Sequence, residues 1–380
     1  MKQPVLESTV HFTDLLGQER ARRILRLAVS SGRLPHAYLF CGIAGCGRRS
    51  AARMLAAALN CLSPRDSEAC GECASCRKLA RGTHPDYISL EPEAEATRKD
   101  GDQEDDKPLK ASGRKGKEGG KKPEGAGSRK GLTIKMDQVR ALCRRLSFGP
   151  TMAQVRVSVL WPAAAMGEEA ANALLKTLEE PPPRNLLILC CREPGELLPT
   201  IASRCQAVSF RPLPDGVVSA WLVARKGVDA EQAARLAYLS GGSLTVADRL
   251  LDDRLPEWRQ RLLACLLEPR QAAVSGTLAL AESLAGDELR DALLEMLKGL
   301  LRDALVLATT GQGLHVANRD LMEPLATLAT REGMAGLVRA LEMIERAQLA
   351  IEANCGARLA LEVMLLKLLP PKTGGRESHA

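Results

Sequence analysis

Of the 380 residues only ten are aromatic (three Trp, three Tyr, four Phe). That is too few for the rows of stacking platforms that hold single-stranded nucleic acid. No apolar run reaches the ~18 residues that span a bilayer, and residues 1–11 lack the apolar stretch of a secretory leader. The expectation is a soluble, cytoplasmic chain. Neither sign of charge dominates. The 53 Lys and Arg stand against 46 Asp and Glu, and the resulting +7 permits an anionic partner without demanding one. What is present is apolar content: 45% of residues, enough for real cores and incompatible with a wholly disordered chain. At roughly 150 residues per domain the length suggests two or three domains. Twelve cysteines in a cytoplasmic chain read as reduced thiols, so a cluster among them points to metal before disulfide.

Over residues 1–212 short apolar runs alternate with amphipathic helical patterns. Five strands are expected, at 38–41, 86–90, 156–161, 186–191 and 207–210. Helices are expected at 18–31, 49–59 and 168–180, the last ended by Pro181, Pro182 and Pro183. Residues 186–191 are apolar at every position, as in a strand covered on both faces, and strand–helix alternation then implies a parallel α/β sheet. Beyond Pro214 strand signals vanish. Residues 213–271 read as a small helical domain, 272–370 as a larger helical bundle with long periods at 289–308 and 336–351, and 371–380 as a frayed tail. The stretch 91–131 has almost no large apolar side chains. Residues 91–106 hold eight acids and two bases, whereas 107–130 hold nine bases and two acids. Such a segment buries too little to offset its ordering entropy, and a disordered, charged insertion is expected there.

Residues 38–41 lead into a glycine-rich turn and an alanine-rich helix, the strand–loop–helix context of a P-loop. Gly42 and Gly47 fit the pattern G-x-x-x-x-G-K-[ST], and Gly45 adds freedom for backbone N–H groups to surround a phosphate. The next positions break it: Arg48 stands for the lysine and Arg49 for the hydroxyl residue that holds Mg²⁺. A guanidinium is not equivalent to an ammonium here, and a cation at position 49 repels the metal. Ser50 falls one residue late, about 100° around the helix. The strand 155–160 runs into Trp161-Pro162-Ala163-Ala164 with no carboxylate until Glu168, so the acidic partner of Mg²⁺ is missing as well. The loop reads as the relic of a nucleotide site; the alternative is a glycine-rich turn that is structural only.

Cys61, Cys70, Cys73 and Cys76 are separated by eight, two and two residues. Two successive C-x-x-C steps bring thiolates to one ion, Cys61 supplies a fourth, and four sulfurs make a closed, structural Zn²⁺ site. An iron–sulfur cluster is the competing reading, because C-x-x-C-x-x-C also occurs in ferredoxins. Cys190 and Cys191, inside an apolar strand, read as core.

These residues together resemble the delta-prime branch of the bacterial DNA polymerase III clamp-loader family. The resemblance covers residues 8–212. It is carried by Phe12 to Gln18, His36 to Phe40, the four cysteines, His84-Pro85-Asp86, the run Leu-Leu-Lys-Thr-Leu-Glu-Glu-Pro-Pro at 174–182, and the stretch from Leu198 to Cys205. It implies an AAA+ module with a five-stranded parallel sheet and zinc module, a helical lid (213–271), and a helical collar (272–370) that joins a five-membered ring. It also gives Ser203-Arg204-Cys205 a meaning: in the family the matching arginine reaches the γ-phosphate of a neighbour's ATP, where a guanidinium fork meets developing charge. The related tau/gamma ATPase subunit keeps the lysine–threonine loop and the acidic strand end that this chain lacks. The implied role is a catalytically silent subunit, no enzyme by itself, assembled with tau/gamma and delta to place the sliding clamp on primer–template DNA. Two alternatives remain open at the level of sequence: a clamp-loader ATPase that tolerates Arg48 and uses Ser50 for Mg²⁺, and a stand-alone zinc-containing DNA-binding protein.

Overall fold

A computed structural model describes residues 10–92, 133–267, 270–311, 313, 316–352 and 355–368. The expected disordered insertion therefore lies, apart from Glu91 and Pro92, outside the described residues, as does the tail 371–380.

In chain order the first part comprises α1 (Glu19–Ser31), β1 (Ala37–Cys41), α2 (Arg48–Asn60), α3 (Ala74–Ala80), β2 (Tyr87–Leu90) and α4 (Met136–Leu146). It continues with β3 (Arg156–Leu160), α5 (Glu168–Glu179), β4 (Asn185–Cys191), α6 (Pro199–Ala202) and β5 (Gln206–Ser209). All five expected strands form, with ends shifted by a residue or so. They make one parallel sheet in the order β2-β3-β4-β1-β5. Successive side chains of a strand point to opposite faces, and here both faces are dry. Tyr38 and Phe40 of β1 join Leu186, Ile188 and Cys190 of β4 in one apolar cluster with α2, while Leu39, Leu187, Leu189 and Cys191 join a second with α4 and α5. The chain thus has the five-stranded parallel α/β arrangement expected of it, with helices on both sides of the sheet.

The second part is helical: α7 (Asp215–Lys226), α8 (Ala230–Leu239), α9 (Leu244–Arg249), α10 (Leu255–Leu267), α11 (Arg270–Gly286), α12 (Arg290–Thr310), α13 (Met322–Glu352) and α14 (Ala357–Leu368). One apolar cluster runs from Leu213 to Leu368, centred on α12. The helical period expected at 336–351 forms as the part of α13 that follows a kink, with a further helical stretch from Met322 before it. Gly333, at φ 61° and ψ 174°, kinks α13 and breaks the pattern that periodicity follows. Among the described residues no helix is long and apolar enough to cross a membrane.

Candidate functional site

The glycine loop leaves the C-terminal end of β1 and enters α2 through Gly47, whose φ of 103° suits a residue without Cβ. Gly45, at φ 76°, packs so closely on the start of α9 that a Cβ there would lie 2.3 Å from the Ser243 hydroxyl. Its carbonyl accepts from the Leu244 N–H at 3.2 Å. Gln18, almost fully buried, donates to the carbonyls of Cys46 (3.1 Å) and Arg211 (2.6 Å) and accepts from the Arg211 N–H (3.1 Å). This amide clamps the loop to the segment that follows β5.

Both arginines of the loop are engaged inside the chain. Arg48 is buried and donates to the carbonyl of Cys191 at the end of β4. Arg49 pairs with the Glu91 carboxylate, and its guanidinium lies 4.6 Å from the Trp161 ring centroid. Positions 49 and 161 are those where a P-loop ATPase supplies its hydroxyl and reaches its acidic strand end; here they stack on each other. Ser50 is half-buried. Two expectations need correcting. A carboxylate does stand near the end of β3: Glu91, the residue that follows the neighbouring strand β2. Glu91 therefore belongs to the folded sheet rather than to the charged insertion: the Ser89 hydroxyl donates to its carboxylate (2.9 Å) and Gln138 donates to its carbonyl (3.0 Å). The pairing of β2 with β3, closed by the Trp161 N–H on the Leu90 carbonyl at 3.0 Å, fixes it there.

Cys61, Cys70, Cys73 and Cys76 converge, with all four Sγ atoms within 4.8 Å of one another and Cys70 and Cys76 4.0 Å apart. A tetrahedral Zn²⁺ with bonds of ~2.3 Å separates its sulfurs by roughly 3.8 Å, whereas a disulfide needs ~2.05 Å. The geometry fits a metal ion and excludes bonded pairs. Backbone N–H groups of residues 70, 73 and 76 point at the sulfurs of Cys61 (3.2 Å), Cys70 (3.3 Å) and Cys73 (3.4 Å), as they do toward thiolates. The module is anchored through Glu68, whose carboxylate accepts from the Phe12 N–H at 2.8 Å and lies 3.6 Å from Arg26.

Arg204 follows α6. It donates to the Thr200 carbonyl (2.8 Å) and pairs with Glu179 (2.7 Å), with 35% of its side chain exposed. Ser203 donates to the same carbonyl at 3.3 Å, and burial pushes the Cys205 thiol up to about 11. Arg204 precedes β5, whereas the glycine loop follows β1, and these strands are parallel with Tyr38 opposite Gln206. The two features therefore sit at opposite ends of the sheet, about 20 Å apart along the strands at 3.3 Å per residue. The arginine of this chain is placed away from its own loop.

Sequence reasoning named the glycines, the cysteines and Arg204 but missed Glu91 and the Trp161 stack. The signal for both was the strand pairing, which brings together residues 49, 91 and 161 across more than a hundred positions of chain. Cys190 and Cys191 are fully buried, as expected of core residues.

Residues 17–214 match the family model described as DNA polymerase III, delta subunit, and residues 255–369 match that for its C-terminal part. The chain is 34% identical to DNA polymerase III subunit delta' of Pseudomonas aeruginosa over 87% of its own length and 91% of the relative's. To subunit delta' of Escherichia coli it is 31% identical over 72% and 71%. The gamma/tau subunit of Mycobacterium tuberculosis is 29% identical over 97% of this chain, which spans 62% of that longer protein. Among solved structures, a gamma subunit-related protein from Thermotoga maritima superposes with a TM-score of 0.35 at 18% identity, covering 91% of this chain and 97% of that one.

Proposed function

The chain belongs to the DNA polymerase III delta-prime family; from that premise we propose that it is a catalytically silent subunit of the clamp loader. It joins tau/gamma and delta subunits in a ring that places the sliding clamp on primer–template DNA. The observation that carries the silence is the arginine-filled loop. Arg48 and Arg49 put two guanidinium groups where a nucleotide's phosphates and Mg²⁺ require a lysine and a hydroxyl, and Trp161 takes the place of the acidic strand end. ATP is then neither held through Mg²⁺ nor hydrolysed in this chain. Residues 213–271 act as the lid and 272–370 as the collar that joins the neighbours. The four cysteines hold a structural Zn²⁺, with no coordination position left for a substrate.

Arg204 is the trans arginine finger, with Ser203 and Cys205 as its motif. Its placement at the sheet end remote from its own loop, partly exposed and held by a surface ion pair and one carbonyl, supports a role toward another chain's nucleotide. The gamma/tau relatives support the second reading, a motor subunit, but the broken P-loop speaks against it. The decisive experiment mixes this chain with purified tau/gamma and delta subunits and weighs the product. A defined ring containing this chain is expected, and Arg204→Ala should preserve that mass while lowering the ring's ATPase at least tenfold, against the roughly 10³–10⁵ that such fingers supply in other systems. Failure to enter a ring, or unchanged ATPase in the variant ring, would refute the respective half of the proposal.

A further inference from the structure

We propose that residues 147–152 form a docking knob for a protein partner that offers an apolar pocket bordered by carboxylates, and that the four-cysteine module is the buttress of this knob. Of the ten aromatic side chains, all in the described residues, Phe148 alone is exposed, at 72%. A lone exposed apolar residue usually needs no explanation, but this one stands on a loop held by a buried charge pair. Asp86 and Arg156, 1% and 3% exposed, meet at 3.3 Å. The Asp86 carboxylate accepts the N–H groups of Thr151, Met152 and Ala153 at 2.8–2.9 Å. Arg156 donates to the carbonyls of Arg145, Phe148 and Gly149 at 2.5–2.7 Å. Six backbone groups are thus fixed by one pair of buried ions, and the knob is ordered before it meets anything. Preorganisation of this kind lowers the entropic cost of binding.

The same pair is tied to the metal module. The Asp86 N–H donates to His84 Nδ1 at 3.1 Å, which makes Nδ1 the acceptor and leaves the ring proton on Nε2, 3.2 Å from the Ser75 hydroxyl. Ser75 lies between Cys73 and Cys76. A continuous line of hydrogen bonds therefore runs from the cysteine turn through Ser75, His84 and Asp86 to the Phe148 loop. The His84-Pro85-Asp86 motif is the middle of that line.

The chemistry of the partner follows from what surrounds the knob. Met152 adds a half-exposed thioether on the same loop as Phe148, and Lys78 Nζ lies 3.5 Å from its sulfur. Arg145 and Arg184 bind carbonyls at the loop's edges, and Arg144 is exposed on the last turn of α4. The Asp86 carboxylate that holds the loop is already neutralised by Arg156. An aromatic anchor and a thioether within a cationic border match an apolar pocket with an acidic rim. A groove for single-stranded nucleic acid would call for successive aromatics along a cationic track, and only one aromatic is exposed. The knob sits at the N-terminal ends of β2 and β3, the end of the parallel sheet opposite the glycine loop and its contact with α9. The partner therefore approaches the side of the α/β part away from that contact.

The partner is sought among the proteins of the assembly proposed above, so the inference rests on that reading for its probes. Phe148→p-benzoylphenylalanine, made in the full-length zinc-loaded chain, is irradiated with tau/gamma, delta, sliding clamp and primer–template DNA, singly and all together. Ring mass in the same samples reports separately on assembly. A cross-link to a protein peptide that carries apolar residues flanked by Asp or Glu is expected, reduced at least fivefold by Lys78→Glu with Arg144→Glu. Cross-links to DNA alone, or none in any mixture whether or not a ring forms, would overturn the docking knob. The buttress is read by hydrogen exchange of the isolated chain. Asp86→Asn should speed exchange at residues 151–153 at least tenfold, and both Ser75→Ala and metal chelation at least threefold, with β4 amides unchanged. If Asp86→Asn does not fold, Ser75→Ala and chelation decide, and unchanged exchange at 151–153 in both would overturn the buttress.

Discussion

The glycine loop and the cysteine module lie on consecutive stretches of chain, joined through α2, yet they stand in opposite relations to their ligands. In the loop the glycines keep the backbone path of a phosphate site, while every charged group is already committed within the protein: Arg48 to the Cys191 carbonyl, Arg49 to Glu91 and the Trp161 face. In the module four sulfurs converge on one another, and the donors that meet them are backbone N–H groups, as they would be around a metal-bound thiolate. A pattern of residue types marks where a ligand once fitted. Whether the donors are already engaged decides what still fits.

That contrast is sharpened first at the module. Cys76→Ser should cost several kcal/mol, on the order of 5, and lower the Tm by about 10 °C or more, because metal binding free energy is folding free energy at a structural site. Chelation of the wild type should reproduce the loss. A variant that melts like the wild type would mean that the four sulfurs do not bind a stabilising ion.

A smaller effect is expected at the Asp86 pair. Burial alone would raise this carboxyl, but the N–H donors of residues 151–153 and Arg156 override it and hold it at about 2, against 3.8 for a free group. The folded-state value is the lower one, so the stabilisation is complete above pH ~4 and is lost as pH falls through ~2. The shift corresponds to roughly 2 kcal/mol. In urea titrations between pH 2 and 6, Asp86→Asn should flatten this slope. A slope equal to the wild type's would remove Asp86 as its source.

The smallest loss is expected in the loop itself. Arg49→Ala removes a half-exposed ion pair and a cation–π contact, together about 1–2 kcal/mol. A gain in stability would show that the arginine is a strained remnant rather than a working part of the fold.

Much of this was legible in the sequence, and the division is physical. The five strands announced themselves because a doubly covered strand must be apolar throughout, as 186–191 are. The cysteines did so because ligand spacing is local. Arg204 was found through the motif around it, while its distance from its own loop came only from the parallel register of β1 and β5. Glu91 was hidden because a carboxylate that ends a strand looks the same as the first acid of a charged block. Phe148 was hidden because exposure depends on which carbonyls Arg156 holds, eight residues further on. Gly333 broke the helical period, so the first turns of α13 left no continuous pattern to follow.

The central claim, a nucleotide loop filled by the chain's own arginines, is tested most directly by titrating the full-length protein with Mg-ATP in a calorimeter. No binding heat and no turnover are expected at millimolar nucleotide. Submicromolar binding accompanied by hydrolysis would contradict the claim.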